Sequence, residues 1–366
     1  MNKFGLPEFE NLKTSTRTLM VYTNVTFDFE KIFQGVELTE IEVPLTKKKK
    51  NVDKKRLQAP YGSIISVQMR DRLRGVNLRK NKARKCGICQ PAKKTEGKRR
   101  IQSVVEELVY EDPDSDIQTF MYYCKTCKKR YKCCELENRL THFLNQITIV
   151  LSIGDIILNI MLFKNSFKIA GCKEDNNAVE ATMILWEDHI RPILGAFKIP
   201  GNEDPKFLFV LVMRNVDFRL GFPIDRQKLN LLMNNTKYKD KVDMSQCETT
   251  SHTNVNIKMH SEQPKGFLYD CLIIPNGTSK KPFFLKMVKN PYGSRKQRKK
   301  KYVTFIVFSS SEVILSGRYP ENMKSMYEFF VAEAYKNRKL IEEKIEPPKM
   351  DLLSHLRNSG HTKIET

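Results

Sequence analysis

The chain has 366 residues, with 64 Lys or Arg against 42 Asp or Glu, a formal net charge of +22. At about 100–200 residues per domain, this length suits two domains or one duplicated domain, and so basic a surface suits a polyanion, nucleic acid before membrane. A hydrophobic content of 40% excludes wholesale disorder.

The N-terminal MNKFGLPEFENLK lacks the apolar run of a secretory signal. A β-rich run then leads from Leu19 through Asn24-Val-Thr-Phe27 into an amphipathic helix ending near Phe33. A long insertion follows, Thr46 to Arg139, opening on the basic run Lys47–Lys50. Six of the nine cysteines crowd into it between Cys86 and Cys134. With no export signal, thiols so spaced indicate metal rather than disulfides and a reducing, intracellular setting.

Cys86-Gly-Ile-Cys89 and Cys124-Lys-Thr-Cys127 form two Cys-x-x-Cys knuckles, able to offer four thiolates to one Zn2+. Their separation exceeds the usual about 15–20 residues, and the strand-like stretch Ser103–Tyr123 fills it. Cys133 and Cys134 lie near enough to replace one ligand. A four-thiolate site leaves no position for water, so the expected zinc is structural. Cys172, Cys247 and Cys271 stand alone and read as ordinary core or surface residues.

Beyond the insertion, Asn145–Leu151 alternates polar and apolar residues, as a half-buried strand does. Ile157–Phe163 is a second strand, and a short turn leads to a third ending at Gly171. The apolar region Ile147–Phe163 is broken by Ser152, Asp155 and Asn159, so it is no transmembrane span, which needs about 20 apolar residues. A long helix begins near Asp175–Asn177 and repeats Val179, Met183, Trp186 and Ile190 on one face.

The same series then recurs. Val210–Phe218 contains Asn215-Val-Asp-Phe218 and runs into a helical Phe222-Pro-Ile-Asp-Arg-Gln-Lys-Leu. Thr253–Met259 matches Asn145–Leu151, Tyr302–Phe308 matches Ile157–Phe163, and the next strand ends at Gly317. The closing helix opens at Pro320 and repeats Met323, Met326, Tyr327, Phe330, Val331 and Ala334. Strand–helix–strand–strand–strand–helix therefore occurs twice, as residues 1–45 with 140–200 and residues 201–346. Residues 46–139 are the first insertion. A second insertion, 260–301, reads as a hairpin turning at Pro275-Asn276-Gly277 and ending in the basic run Arg295–Lys301. The tail 347–366 is polar.

Neither half carries a phosphate loop, a nucleophile elbow or a spaced His/carboxylate set, so no enzymatic chemistry is expected. Strand alternation places Leu158, Ile160, Leu162, Val303, Phe305 and Val307 against the helices. The other face carries Asn159, Met161, Phe163, Thr304, Ile306 and Phe308, with Gln146, Thr148, Asn254, Asn256 and Lys258 from neighbouring strands. Amides, hydroxyls, Met, Ile and Phe with few charges suit base edges and sugars; a plain amphipathic sheet covered by an insertion fits the same composition.

The repeated order, the Asn215-Val-Asp-Phe…Phe222-Pro-Ile run and the two Phe-turn-strand-Gly hairpins resemble the TATA-box-binding protein (TBP) family. The likeness extends to the divergent TBP-like proteins of large nucleocytoplasmic DNA viruses, through Leu162-Phe-Lys-Asn165 and Gly171-Cys-Lys173. The resemblance covers roughly half the chain and neither insertion. It implies an α+β fold: a pseudo-two-fold saddle of about ten antiparallel strands, helices on its convex face, with a zinc-ribbon-like module inserted. It also implies double-stranded DNA held in the minor groove, with phenylalanines wedged between base steps.

By the same resemblance, Phe163 and Phe308 match the wedges, Met161 and Ile306 the apolar groove contacts, Ser316 a groove-lining Thr, and Lys258 a phosphate-binding Arg. The departures fall at Leu144 and His252, where the family has its other wedges, at Thr18 and Phe209, where it has central asparagines, and at Ala170. The implied function is a monomeric viral transcription initiation factor recruiting the viral RNA polymerase or other initiation factors. It would act in the host nucleus or a cytoplasmic viral factory, or be packaged in the virion. The competing expectation is a protein–protein scaffold on a TBP-like fold that has lost DNA binding.

Overall fold

The computed structural model describes residues 4–41, 58–77, 84–85, 104–111, 116–124, 128, 130–132, 145–201, 203–247, 254–261, 268–275, 283–289 and 301–343. Antiparallel strands dominate and helices are few, an α+β protein. The chain divides into two units. The larger comprises Thr14–Asn215 with Gln263–Lys299, and the smaller Met1–Lys13, Val216–Glu262 and Lys300–Thr366.

The larger unit begins with β1 (Thr14–Thr23), β2 (Thr26–Phe27) and α1 (Phe29–Gly35). Asp28 caps α1 by accepting from the Lys31 amide at 3.2 Å. Next come β3 (Ile64–Met69), β4 (Arg72–Gly75), β5 (Arg84–Lys85), β6 (Val104–Glu111), β7 (Ile117–Cys124) and β8 (Arg130–Lys132). Then follow β9 (Ile147–Ile153), β10 (Ile156–Phe163), β11 (Ser166–Cys172), α2 (Asn176–Ile184) and β12 (Phe197–Lys198).

The pairings β1–β11, β11–β10, β10–β9 and β9–β3 are all antiparallel. They order the five strands β1-β11-β10-β9-β3. Leu19, Val21, Ile149, Leu151, Leu158, Ile160 and Leu162 pack in one core with Ile32 and Phe33 of α1 and Ala178 and Ala181 of α2. Both helices therefore cover one face of these strands. Arg74 of β4 closes the far end of α1, donating from Nη1 to the carbonyls of Phe33 (2.7 Å), Gln34 (3.0 Å) and Val36 (3.1 Å).

Strand β13 (Lys206–Arg219) places its first ten residues in the larger unit, beside β1, and its last four in the smaller. The smaller unit continues with α3 (Arg226–Met233), β14 (Val242–Cys247) and β15 (Asn254–Ser261). The hairpin β16 (Leu268–Ile273) and β17 (Phe283–Lys289) belongs to the larger unit, where β16 pairs with the start of β13. Strands β18 (Lys301–Phe308) and β19 (Glu312–Gly317) and helix α4 (Pro320–Lys336) complete the smaller unit.

Its strand order is β13-β19-β18-β15-β14, every observed register antiparallel. This is the order of the larger unit, read again. Asp225 caps α3 through the Lys228 amide at 3.1 Å, as Asp28 caps α1. Phe305 and Phe330 of α4 lie 4.5 Å apart between ring centres, so the helices again cover one face.

Backbone hydrogen bonds fix the correspondence residue by residue. The amides of Phe27 and Ile224 bond to the hairpin carbonyls of Lys164 (2.9 Å) and Ser309 (3.0 Å). Those of Asp28 and Asp225 bond to Ala196 and Ile341, just past each long helix. Four sequence expectations are corrected by this frame. First, each repeat has a further strand, β3 or β14. Ile64, Ile65, Ser66 and Val67 are all buried, so β3 shows no alternation, and β14 is short and polar. Strand β3 thus lies within the segment read as the first insertion, Thr46–Arg139.

Second, the shared Asn-Val-x-Phe is coincidental: Asn215–Phe218 lies inside β13, whereas Asn24–Phe27 lies beyond the end of β1. Third, α2 buries Ala178, Ala181 and Thr182, leaving Val179 and Met183 half-buried. The helix passes into a π turn over Leu185–Ile190, whose extra residue rotates the buried face onto Trp186 and Ile190. Fourth, residues 4–12 pack in the smaller unit, with Phe4 on Tyr335 at 4.8 Å and Tyr327 Oη donating to the Pro7 carbonyl at 2.7 Å.

Candidate nucleic-acid interface

The helix-free face of each unit carries the residues singled out from the sequence. In the smaller unit, β15, β18 and β19 align them in cross-strand rows. Asn254 lies opposite Phe308, Asn256 opposite Ile306 with Ile314 beyond it, and Lys258 opposite Thr304 with Ser316 beyond it. His260 and Tyr302 form the last row. All of these are half-buried, while the intervening Val255, Ile257, Val303, Phe305 and Val307 are fully buried. The alternation expected for Phe305 and Phe308 is therefore the one observed.

Strand β14 adds Met244 beside Lys258 and Gln246 beside Asn256. The Lys258 ammonium stands 6.0 Å from the Tyr302 ring. Burial and the neighbouring Asp243 carboxylate push the Tyr302 phenol above its usual range, so it stays a neutral donor.

In the larger unit, Thr148, Met161, Lys168 and Met20 form one row, with Gln68 beyond Thr148. Phe163 pairs with Ser166 at the strand end, and Gln146 Nε2 donates to Thr148 Oγ1 at 3.2 Å. Met20 and Tyr22 pack with Ile273 against buried Leu208, Val210 and Cys271, so this side of the face is apolar. Where Lys258 stands in the smaller unit, the larger has buried Val150.

The corrected correspondence also changes the central positions. Thr18 is 5% exposed, and its counterpart is Asn215, not Phe209. The residue matched to Thr18 is thus an asparagine. The coincidental Asn-Val-x-Phe match hid it; pairing the helix caps Asp28 and Asp225 would have found it.

Burial pushes the Cys172 thiol up to about 12 and raises Cys271, which favours the neutral thiol at both. Among the described residues, no three His, Cys, Asp or Glu side chains are grouped to hold a metal. Cys86, Cys89 and Cys127 lie outside the described residues, as do Leu144, His252, Lys47–Lys50, residues 295–300 and the tail 347–366. Cys124 is described by its backbone, opposite Val105, while Lys85, next to Cys86, lies opposite Val104. Strand β6 thus has one knuckle's neighbour on one edge and the other knuckle's first cysteine on the opposite edge. Among the described residues, no helix is long and apolar enough to cross a membrane.

No protein-family model matches the chain, and no curated protein does. Among solved structures, a di-domain aromatase/cyclase, StfQ from the steffimycin biosynthetic pathway, is 10% identical with a TM-score of 0.14, covering 66% of this chain and 83% of its own.

Proposed function

We propose that this chain is a non-enzymatic, TBP-like DNA-binding protein that engages the minor groove of double-stranded DNA through the helix-free faces of its two repeats. The observation that carries this reading is the placement of Phe163 and Phe308. Each is a half-buried aromatic on the open face, at the end of the equivalent strand of a twice-repeated five-strand, two-helix order. A ring held there gains little in the free protein and can offset the cost of unstacking a base step. The saddle shape, and recruitment of a viral RNA polymerase or another initiation factor, are part of the same proposal.

The inserted module is proposed to hold one structural Zn2+ through Cys86, Cys89, Cys124 and Cys127. The register across β6 supports it, since Lys85, which precedes Cys86 in sequence, and Cys124 lie beside the adjacent residues Val104 and Val105. Four thiolates match the tetrahedral preference of zinc. Metal analysis of the purified protein is expected to give about one zinc per chain, falling when Cys124 is replaced by Ser.

One observation favours the scaffold reading. Part of the larger unit's open face is apolar, where Met20, Tyr22 and Ile273 pack on Leu208, Val210 and Cys271. Binding of short A·T-rich and G·C-rich duplexes across a salt series separates the two. A DNA-binding protein shows affinity that falls linearly in log–log form with salt, with bending of the bound duplex. No binding at low salt leaves the scaffold.

A further inference from the structure

On the open face of the smaller unit, Asn256 Oδ1 is buried and has no hydrogen-bond partner among the described residues. Its cross-strand neighbours are Gln246 on β14 and Ile306 on β18, with Ile314 beyond. The equivalent residue of the larger unit, Thr148, is differently placed: its hydroxyl already accepts from Gln146 Nε2 at 3.2 Å. The two repeats therefore differ at one matched position by one unmet acceptor.

An acceptor taken from water without a partner is destabilising until a donor reaches it. A carboxamide can turn about its Cβ–Cγ bond, so Asn256 can present that oxygen to a ligand lying on the sheet. In the minor groove, A·T and T·A pairs offer acceptors alone. The donor available there is the 2-amino group of guanine.

Resting on the minor-groove reading above, we propose that Asn256 Oδ1 accepts a hydrogen bond from a guanine 2-amino group. The smaller unit then sits on a G·C-containing step. The larger unit, with Met161, Phe163 and Met20 on its face and Thr148 already engaged, makes no such demand. The protein binds its site in one direction, set by the guanine.

The test uses the full chain and a set of A·T-rich duplexes, each with one G·C pair moved along the site and a companion with inosine for guanine. Inosine lacks the 2-amino group and leaves the major-groove edge unchanged. At one position, inosine is expected to weaken wild-type binding by about fivefold to a hundredfold, the range of a single mismatched base contact. Asn256→Thr, which copies Thr148, and Asn256→Val are expected to bind both members of that pair alike. Equal binding of every pair by the wild type, or tighter binding of inosine, overturns the proposal and leaves minor-groove binding intact. Failure to bind any duplex overturns both. The wild-type scan decides the matter even if the variants do not fold.

Discussion

The two units share strand order, helix caps and a helix-covered core, yet their open faces differ. The smaller unit presents Asn254, Asn256, Lys258, Thr304 and Tyr302 around Ile306 and Phe308. The larger presents Met161, Phe163, Met20 and Tyr22 with Gln68, Thr148 and Lys168, and part of its face is closed by apolar packing on Leu208 and Val210. Packing against the helices holds one side of each repeat to the same pattern. The other side carries no such constraint, and it is there that the two copies have diverged.

The largest test of that contrast sets the two sides of one strand against each other. Phe305→Ala should cost about 3–5 kcal/mol of stability, since its fully buried ring packs on Phe330. Phe308→Ala should leave the urea midpoint nearly unchanged and weaken duplex binding and bending. The reverse pattern would make the open face the core. Next, Lys258→Gln should reduce the slope of log K against log salt by about one, uniformly across DNA sequences. An unchanged slope would mean that Lys258 makes no phosphate contact.

The shared side gives smaller effects. Asp28→Ala and Asp225→Ala should each cost about 1 kcal/mol in chemical unfolding, because each strips the cap from an equivalent helix. Markedly unequal losses would mean the two caps are not equivalent after all. The smallest effect is in acid. The Arg72 guanidinium holds the Glu30 carboxyl below its usual range. The stability from this pair is therefore present above the ordinary Glu value and lost as the pH falls through the depressed one. Arg72→Gln should reduce the acid-side loss of stability, read from urea midpoints between pH 6 and pH 3.

How much of this was legible depended on whether one side of an element was wet. Strands β10 and β18 alternate buried and half-buried residues, so period-two patterning revealed both faces and placed Phe163 and Phe308 correctly. Helix α4 was equally plain, from Pro320 at its start to its buried Met323, Tyr327, Phe330, Val331 and Ala334. Strand β3 is buried on both sides and reads as an apolar run, and β14 has too little apolar content to register. The correspondence between Thr18 and Asn215 was lost to a short motif match, although the aspartate caps held the better alignment. The unmet oxygen of Asn256 leaves no trace in sequence, because it depends on which neighbours fail to reach it.

The placement of residues 4–12 bears on the order in which the protein can be built. Phe4 and Phe9 find their partners, Tyr335 and Tyr327, on a helix that leaves the ribosome more than three hundred residues later. Strand β1 likewise waits for β11. Residues 4–12 are thus among the last to settle, and the rings of Phe4 and Phe9 lack these partners until α4 has been made. Pairings this distant in sequence fold slowly and leave strand edges open for long periods. A chaperone holding residues 4–12 would act on a late step of folding, and loss of α4 would release this segment from its partners.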